Sequence, residues 1–296
     1  MSSKIIVLVW GVSLAIFSYG QNSSMSHSGT EKNNLDANIL NIKGTWQQGQ
    51  LLIGKTRPGT EITFDDNNVH VDEEGIFVFG LGRDQGEVAE LIVVDPKGKK
   101  STHLFDVKQR EYNIQRINGV PQRTVTPPEE ELKRIRQEGA MMRKARQIHS
   151  SRKDFLQDFQ WPVTGPISGV YGSQRVYNGK PGRPHFGVDV ARPVGTQVVA
   201  PANGIVTLAH DEMFYNGGTL VIDHGRGIAS TFIHLNKVLV KAGQEVKQGD
   251  LIAEIGATGR ATGPHLDWRI NWFSRPLDPV LIVPPMPDDS TNINAE

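Results

Sequence analysis

The feature that most restricts how this chain can fold is a rhythm. Short apolar, β-branched and aromatic runs are cut every ten or so residues by glycine, proline, asparagine or aspartate. Between residues 39 and 117 the runs are Gln50 to Lys55, Glu61 to Phe64, Gly75 to Phe79, Ala89 to Val94 and Thr102 to Val107. Pro58-Gly59, Asp65-Asp66-Asn67-Asn68, Asp72 to Gly75 and Asp95-Pro96-Lys97-Gly98 supply turn chemistry between them. Strands at this spacing without helical periodicity predict a small β-sandwich, immunoglobulin-like in outline. His70 and His103 fall in or beside these strands with no second ligand at metal spacing, so the module is expected to position or bind rather than catalyse.

One segment breaks the rhythm. Thr126-Pro127-Pro128-Glu129 combines a capping threonine, a first-turn proline and a glutamate that closes a capping box. Leu132, Ile135, Gly139 and Met142 then recur at helical steps among charged residues up to about His149. Residues 118–160 therefore read as a linker carrying a charged helix. From Trp161 to Val283 glycine-punctuated strands return, with a polar loop from Ser173 to Pro184. The expected fold class is all-β with one connector helix: a sandwich followed by an antiparallel-sheet domain over 161–283, and a tail over 284–296.

The 296 residues carry 32 basic and 32 acidic side chains, so composition implies no nucleic-acid partner. At the N-terminus Lys4, the 13-residue apolar stretch Ile5 to Phe17 and Ser18-Tyr19-Gly20 form a charged, an apolar and a small-residue region in turn. This predicts a signal peptide over 1–20, followed by a polar leader over 21–38, and places the protein in the periplasm with no stable membrane insertion after cleavage. Cysteine is absent, which removes thiolate chemistry and leaves His, Asp and Glu as metal ligands.

Candidate chemistry gathers in the last domain. His185 and Asp189 are four apart; on a straight strand they would lie ~13 Å apart, so acting together requires a bend, which Gly187 permits. His265 and Asp267, two apart on a predicted strand, share one face, with Leu266 and Trp268 on the other. His234 ends the apolar run Ser230 to Ile233. His224, in Asp223-His224-Gly225-Arg226-Gly227, reads as a turn residue, and His210 as part of a polar loop.

These pieces, with Gly165-Pro166-Ile167-Ser168, Val199-Ala200-Pro201-Ala202-Asn203-Gly204, Val221-Ile222-Asp223-His224-Gly225, Ile233-His234-Leu235 and Gly256 to Leu266, resemble in order the lysostaphin and LytM type of zinc metallopeptidases. The resemblance covers about 120 of 296 residues. It implies a zinc-dependent endopeptidase acting on peptide cross-links of bacterial peptidoglycan, with one Zn²⁺ per chain. By matching motifs, His185 and Asp189 are implied as metal ligands, and His234 and His265 as the catalytic pair flanking the attacking water. The departure is Asp267, which stands where the family has the second His of His-x-His. Aspartate can bind zinc, although two carboxylates would cancel the ion's charge and leave its water less acidic.

Two other functions fit parts of the sequence. A catalytically degenerate relative would bind and activate a cell-wall amidase, and an envelope protein is a candidate partner for the sandwich. A lipoyl or biotinyl carrier would need a lysine at an exposed hairpin tip in a Met-Lys-Met type turn, which is absent.

Overall fold

Residues 40–117, 129–177 and 179–287 are described by the computed structural model. The expected signal peptide and leader, the capping residues Thr126 to Pro128 and the tail from residue 288 lie outside them. Seven strands form the first module. Leu40–Lys43, Leu51–Thr56 and Ile76–Gly80 make one antiparallel sheet, and Asn67–Val69, Glu61–Phe64, Val88–Val94 and Lys100–Asp106 make another. Phe64 of the second sheet lies 4.9 Å from Phe79 of the first, ring centre to ring centre, so the two sheets face each other as a sandwich. The Asp65-Asp66 turn has φ of 46° and 58° at its two central residues, the left-handed pair that matches strand twist in a two-residue hairpin.

The second module is built on a long antiparallel sheet. Its central order is Gly204–Met213, Gly217–Gly225, Ile228–Val238, His265–Trp272, Val188–Ala191 and Ile167–Gly169. Period-two alternation divides its side chains between two faces. Leu266, Trp268, Ile270 and Phe232 are fully buried on one, which Trp161 closes with its ring 5.9 Å from Trp268. His265, Asp267, Arg269 and Asn271 take the other by alternation, as do Ala229, Thr231 and Ile233 on the neighbouring strand.

The helix Glu129–Arg146 lies on this second face, where Met142 and Ala145 pack against Met213, Val221 and Ala229. Its acidic first turn and basic last turn complement the helix dipole. The residues after it are packed rather than solvated: Phe155 and Phe159 are 2% and 4% exposed. Lys153 reaches back to Asp72 at 2.8 Å and Glu74 at 2.9 Å in the sandwich.

The stretch expected as a polar loop from Ser173 to Pro184 instead contains the strands Gln174–Tyr177 and Lys180–Pro181, paired with Ile114–Ile117 from the end of the first module. The parallel pairing of 114–117 with 174–177 satisfies backbone groups of the loop through a distant segment. Beside this seam Arg275 donates to Gly80 O at 3.0 Å, Arg110 pairs with Asp278 at 2.8 Å, and Leu277 fills the space a side chain at Gly80 would need. One hydrophobic core runs through both modules, within a single compact unit.

Candidate metal centre

Two adjacent strands bring the acidic groups together. Asp189 and Asp267 are direct cross-strand partners, so both carboxylates project from one face at the closest approach a sheet offers. Like charges in this position are destabilising unless something positive lies between or beside them. His185 precedes the strand Val188–Ala191, and the chain bends at Gly187, as joint action with Asp189 requires. The bend leaves His185 Nε2 3.2 Å from Asp189 Oδ1 and His185 Nδ1 4.0 Å from Asp267 Oδ2. One potential ligand atom from each of the three lies within 4.8 Å of the others.

Glycine makes the crowding possible. A side chain at Gly187 would collide with the Asp267 carboxylate, and one at Gly169, the cross-strand partner of Asp189, would collide with the Asp189 carboxylate.

The donor set fits a metal ion. His185 Nε2 and Asp189 Oδ1 are buried with no hydrogen-bond partner, although buried polar atoms are normally satisfied. Ligand atoms around one tetrahedral zinc with ~2.0 Å bonds lie ~3.3 Å apart, close to the 3.2 Å found here. Imidazole with two carboxylates is a competent zinc set, and harder than the usual one.

Arg269 was not anticipated from the sequence. Its guanidinium forks onto Asp267, with Nε to Oδ1 at 2.9 Å and Nη2 to Oδ2 at 2.6 Å. Burial alone would raise the Asp267 carboxyl, but the charge and hydrogen bonds of Arg269, aided by His185 and His234, hold it below the usual carboxylate range. Its position was readable: Arg269 is two residues from Asp267 and so shares its face. Burial likewise works against a charged His185, and the nearby carboxylates of Asp189 and Asp267 more than reverse this, so its pKa is raised.

His234 and His265 flank the cluster with ring centres 4.9 Å apart. By strand parity His234 would follow Ser230 and Phe232 into the core. It takes φ of 64° instead, a left-handed conformation rare for a non-glycine residue, and its amide donates to Asn216 O at 2.7 Å. At this point the strand leaves the His265–Trp272 partner, and Leu235 pairs with Ile255 of Leu251–Ile255. The break in alternation sets the imidazole beside His265. Each of the two rings bonds a carbonyl through Nδ1: His234 to Thr258 O and His265 to Gly263 O, both at 2.8 Å. A carbonyl only accepts, so each Nδ1 carries the proton and each Nε2 of the neutral ring keeps a free lone pair. Burial, the largest influence on His234, lowers its pKa and keeps it neutral.

Other candidates lie elsewhere. His224 belongs to the strand Gly217–Gly225 rather than to a turn and is fully buried. Its Nδ1 donates to Asn203 O at 2.6 Å and its Nε2 accepts from Ser230 Oγ at 2.8 Å, on the core face. His210 is a strand residue in Gly204–Met213, its Nδ1 accepting from the Glu212 amide at 3.1 Å. His103 bonds Ser101 at 3.0 Å.

Residues 183–279 match the model of Peptidase family M23. Among curated proteins, the chain is 44% identical over 95 residues to the peptidoglycan DD-endopeptidase ShyB of Vibrio cholerae, covering 32% of this chain and 22% of that protein. It is 36% identical over 106 residues to the DD-carboxypeptidase/endopeptidase Mpg of Neisseria meningitidis, covering 36% of this chain and 24% of that one. The chain thus spans about a quarter or less of the length of these relatives. A crystal structure assigned to peptidase M23 from Pseudomonas aeruginosa superposes with a TM-score of 0.63 at 29% identity, over 81% of this chain and 96% of the other. With the ordered motifs, the antiparallel sheet and the His185, Asp189 and Asp267 cluster, the match marks residues 183–279 as a domain similar to peptidase family M23.

Proposed function

We propose that this protein is a zinc-dependent endopeptidase that hydrolyses peptide cross-links of peptidoglycan outside the cytoplasm, with one ion per chain held by His185, Asp189 and Asp267. The observation that carries this reading is the buried, unpartnered pair His185 Nε2 and Asp189 Oδ1 beside a directly opposed second carboxylate. The family match and the similarity to proteins named as peptidoglycan endopeptidases support it. The expected signal peptide adds the periplasmic address. Among the described residues no helix is long and apolar enough to cross a membrane.

A bound zinc supplies polarisation of the scissile carbonyl and acidification of a water. The chain's own contribution is proton handling and charge stabilisation. Nδ1 bonding to Thr258 and Gly263 aims two unprotonated Nε2 atoms from neighbouring rings. His234, kept neutral by burial, suits the role of proton acceptor, and His265 that of stabilising the developing oxyanion as a donor once protonated. The scissile bond we favour joins D-alanine to diaminopimelate.

The test combines zinc content of the purified chain with mass analysis of muropeptides released from purified peptidoglycan. One zinc per chain and split cross-links are expected, and Asp267→Ala should lose both. Asp267→His should retain zinc. The fork of Arg269 onto both Asp267 oxygens favours a second reading, a metal-free scaffold that activates an amidase. That reading prevails if the wild type holds no zinc, releases no peptide products and stimulates an amidase.

A further inference from the structure

A cavity of about 450 Å³ opens between the helix Glu129–Arg146 and the face of the sheet that carries the metal centre. Its polar wall is unusually basic: Arg143, Arg146, Arg183 and Arg269 all line it. The one carboxylate in the wall, Glu138, is already engaged, accepting from Arg134 at 2.7 Å and from the Phe214 amide at 2.8 Å. Among the described residues no acid pairs with Arg143, Arg146 or Arg183. Arg146 reaches only neutral acceptors, Met142 O at 3.2 Å and Asn271 Oδ1 at 3.4 Å. Burial first, then the charges of Arg269, Arg183 and Arg143, pull Arg146 down to about 10, so it remains charged at neutral pH.

Into the same cavity wall comes Thr231, 1% exposed, whose hydroxyl has no hydrogen-bond partner. Thr231 and Arg269 are cross-strand partners. The next pair along the same face is Ile233 and Asp267, one two-residue step of ~7 Å away. An unused buried hydroxyl, in the wall of a cavity that also holds the unbalanced Arg143, Arg146 and Arg183, therefore stands one step from the proposed metal ligand.

We infer that this cavity is a carboxylate subsite, in which Arg146, Arg183 and the Thr231 hydroxyl, next to Arg269, hold the free α-carboxylate that adjoins the scissile amide of the substrate. The inference rests on the endopeptidase reading above. In a cross-link from D-alanine to the D-centre of diaminopimelate, the amine side carries such a carboxylate one carbon from the scissile nitrogen. Guanidinium groups bind carboxylates through paired hydrogen bonds, and a threonine hydroxyl can donate one more. Binding there would fix the position of the scissile amide relative to His234 and His265.

The probe is N-acetyl-D-alanyl-D-alanine, as the free acid and as its C-terminal amide, titrated by NMR into the full chain after EDTA treatment so that no metal binds the acid. The free acid should bind at least about 10-fold more tightly than the amide, as a charge-assisted pair requires. Arg146→Gln should bring the two to within about 2-fold, and Arg146→Lys should recover part of the difference. Arg183→Gln, at an exposed position, gives the same direction if Arg146→Gln fails to fold. Equal affinity for acid and amide in the wild type overturns the subsite, as does full discrimination in both glutamine variants. Inorganic phosphate at matched ionic strength is the control: displacement of the acid at equal concentration would mark a general anion trap and overturn the assignment to substrate carboxylate. Cleavage of peptidoglycan without acid preference would remove the subsite and leave the endopeptidase standing. Acid preference without cleavage would do the reverse.

Discussion

An outer strand of the sandwich and the central strands of the long sheet treat polar side chains in opposite ways. In the sandwich, Val88–Val94 alternates exposed and buried positions, with Glu90 outward and Ala89, Leu91 and Val93 inward. In the long sheet of the second module, Gly217–Gly225 is buried throughout, as are the residues from Ile228 to Leu235. Yet they carry Thr219, Asp223, His224, Ser230, Thr231 and His234. Burying a polar group without a partner costs free energy, so these residues sort by whether a partner is present. His224 and Ser230 satisfy each other, and Asp223 accepts from Ser150 and the Gly225 amide. Thr231 lacks any partner, as do one atom each of His185 and Asp189. In this sheet partnered polar groups hold the fold, and the unpartnered ones lie where something else is expected to bind, whereas the unpartnered His103 Nδ1 of the sandwich has no such neighbourhood.

The contrast can be broken most forcefully at His234. If it serves chemistry rather than stability, His234→Ala should lower kcat by about 10²- to 10⁴-fold while zinc content and melting temperature stay near wild type. A variant that loses zinc or unfolds instead would move His234 into the structural class.

The next largest effect is a pH dependence from His224. Its pKa is lowered to about 4, first by burial, so the folded state binds this proton less readily than the unfolded chain. Its contribution is complete above the unfolded value near 6.5 and is lost as pH falls towards 4, a change of roughly 3 kcal/mol. Urea unfolding between pH 7 and 4 measures the slope, which His224→Gln should flatten whatever its absolute stability.

Neighbouring residues 230 and 231 then sharpen the comparison. Ser230→Ala removes the donor to His224 Nε2 and should cost about 1 to 3 kcal/mol. Thr231→Val removes a hydroxyl that bonds nothing in the free protein and should be neutral, or stabilising by up to about 1 kcal/mol. Denaturant melts of both variants decide this pair. Equal losses would mean that Thr231 has a structural partner after all.

Much of this was legible before the structure. Alternation alone put His265 and Asp267 on one face and Leu266 and Trp268 on the other, because two-residue periodicity is local. Turn chemistry marked Asp65-Asp66 for the same reason. Register across strands is not local. Nothing in the order of residues sets Asp189 opposite Asp267, or Thr231 opposite Arg269. The pairing of 114–117 with 174–177 joins segments some sixty residues apart, so the polar composition of 173–184 read as a loop. His234 was found through its motif, while the φ that turns it out of the core depends on the Asn216 carbonyl and the change of strand partner. Phe155 and Phe159 were hidden by the charges around them.

The fork between Asp267 and Arg269 changes how the replacement of histidine by aspartate should be viewed. A neutral imidazole gives way to a carboxylate, but the carboxylate carries its own counter-charge two residues along the strand. With Arg269 included, the group formed with His185 and Asp189 bears one net negative charge when its imidazole is neutral, the same as two neutral histidines and one aspartate. The net charge at the centre is therefore conserved while its sources are rearranged, and Asp267 with Arg269 counts as one exchangeable unit. Converting either residue alone shifts the local charge by one, and only converting the pair returns it.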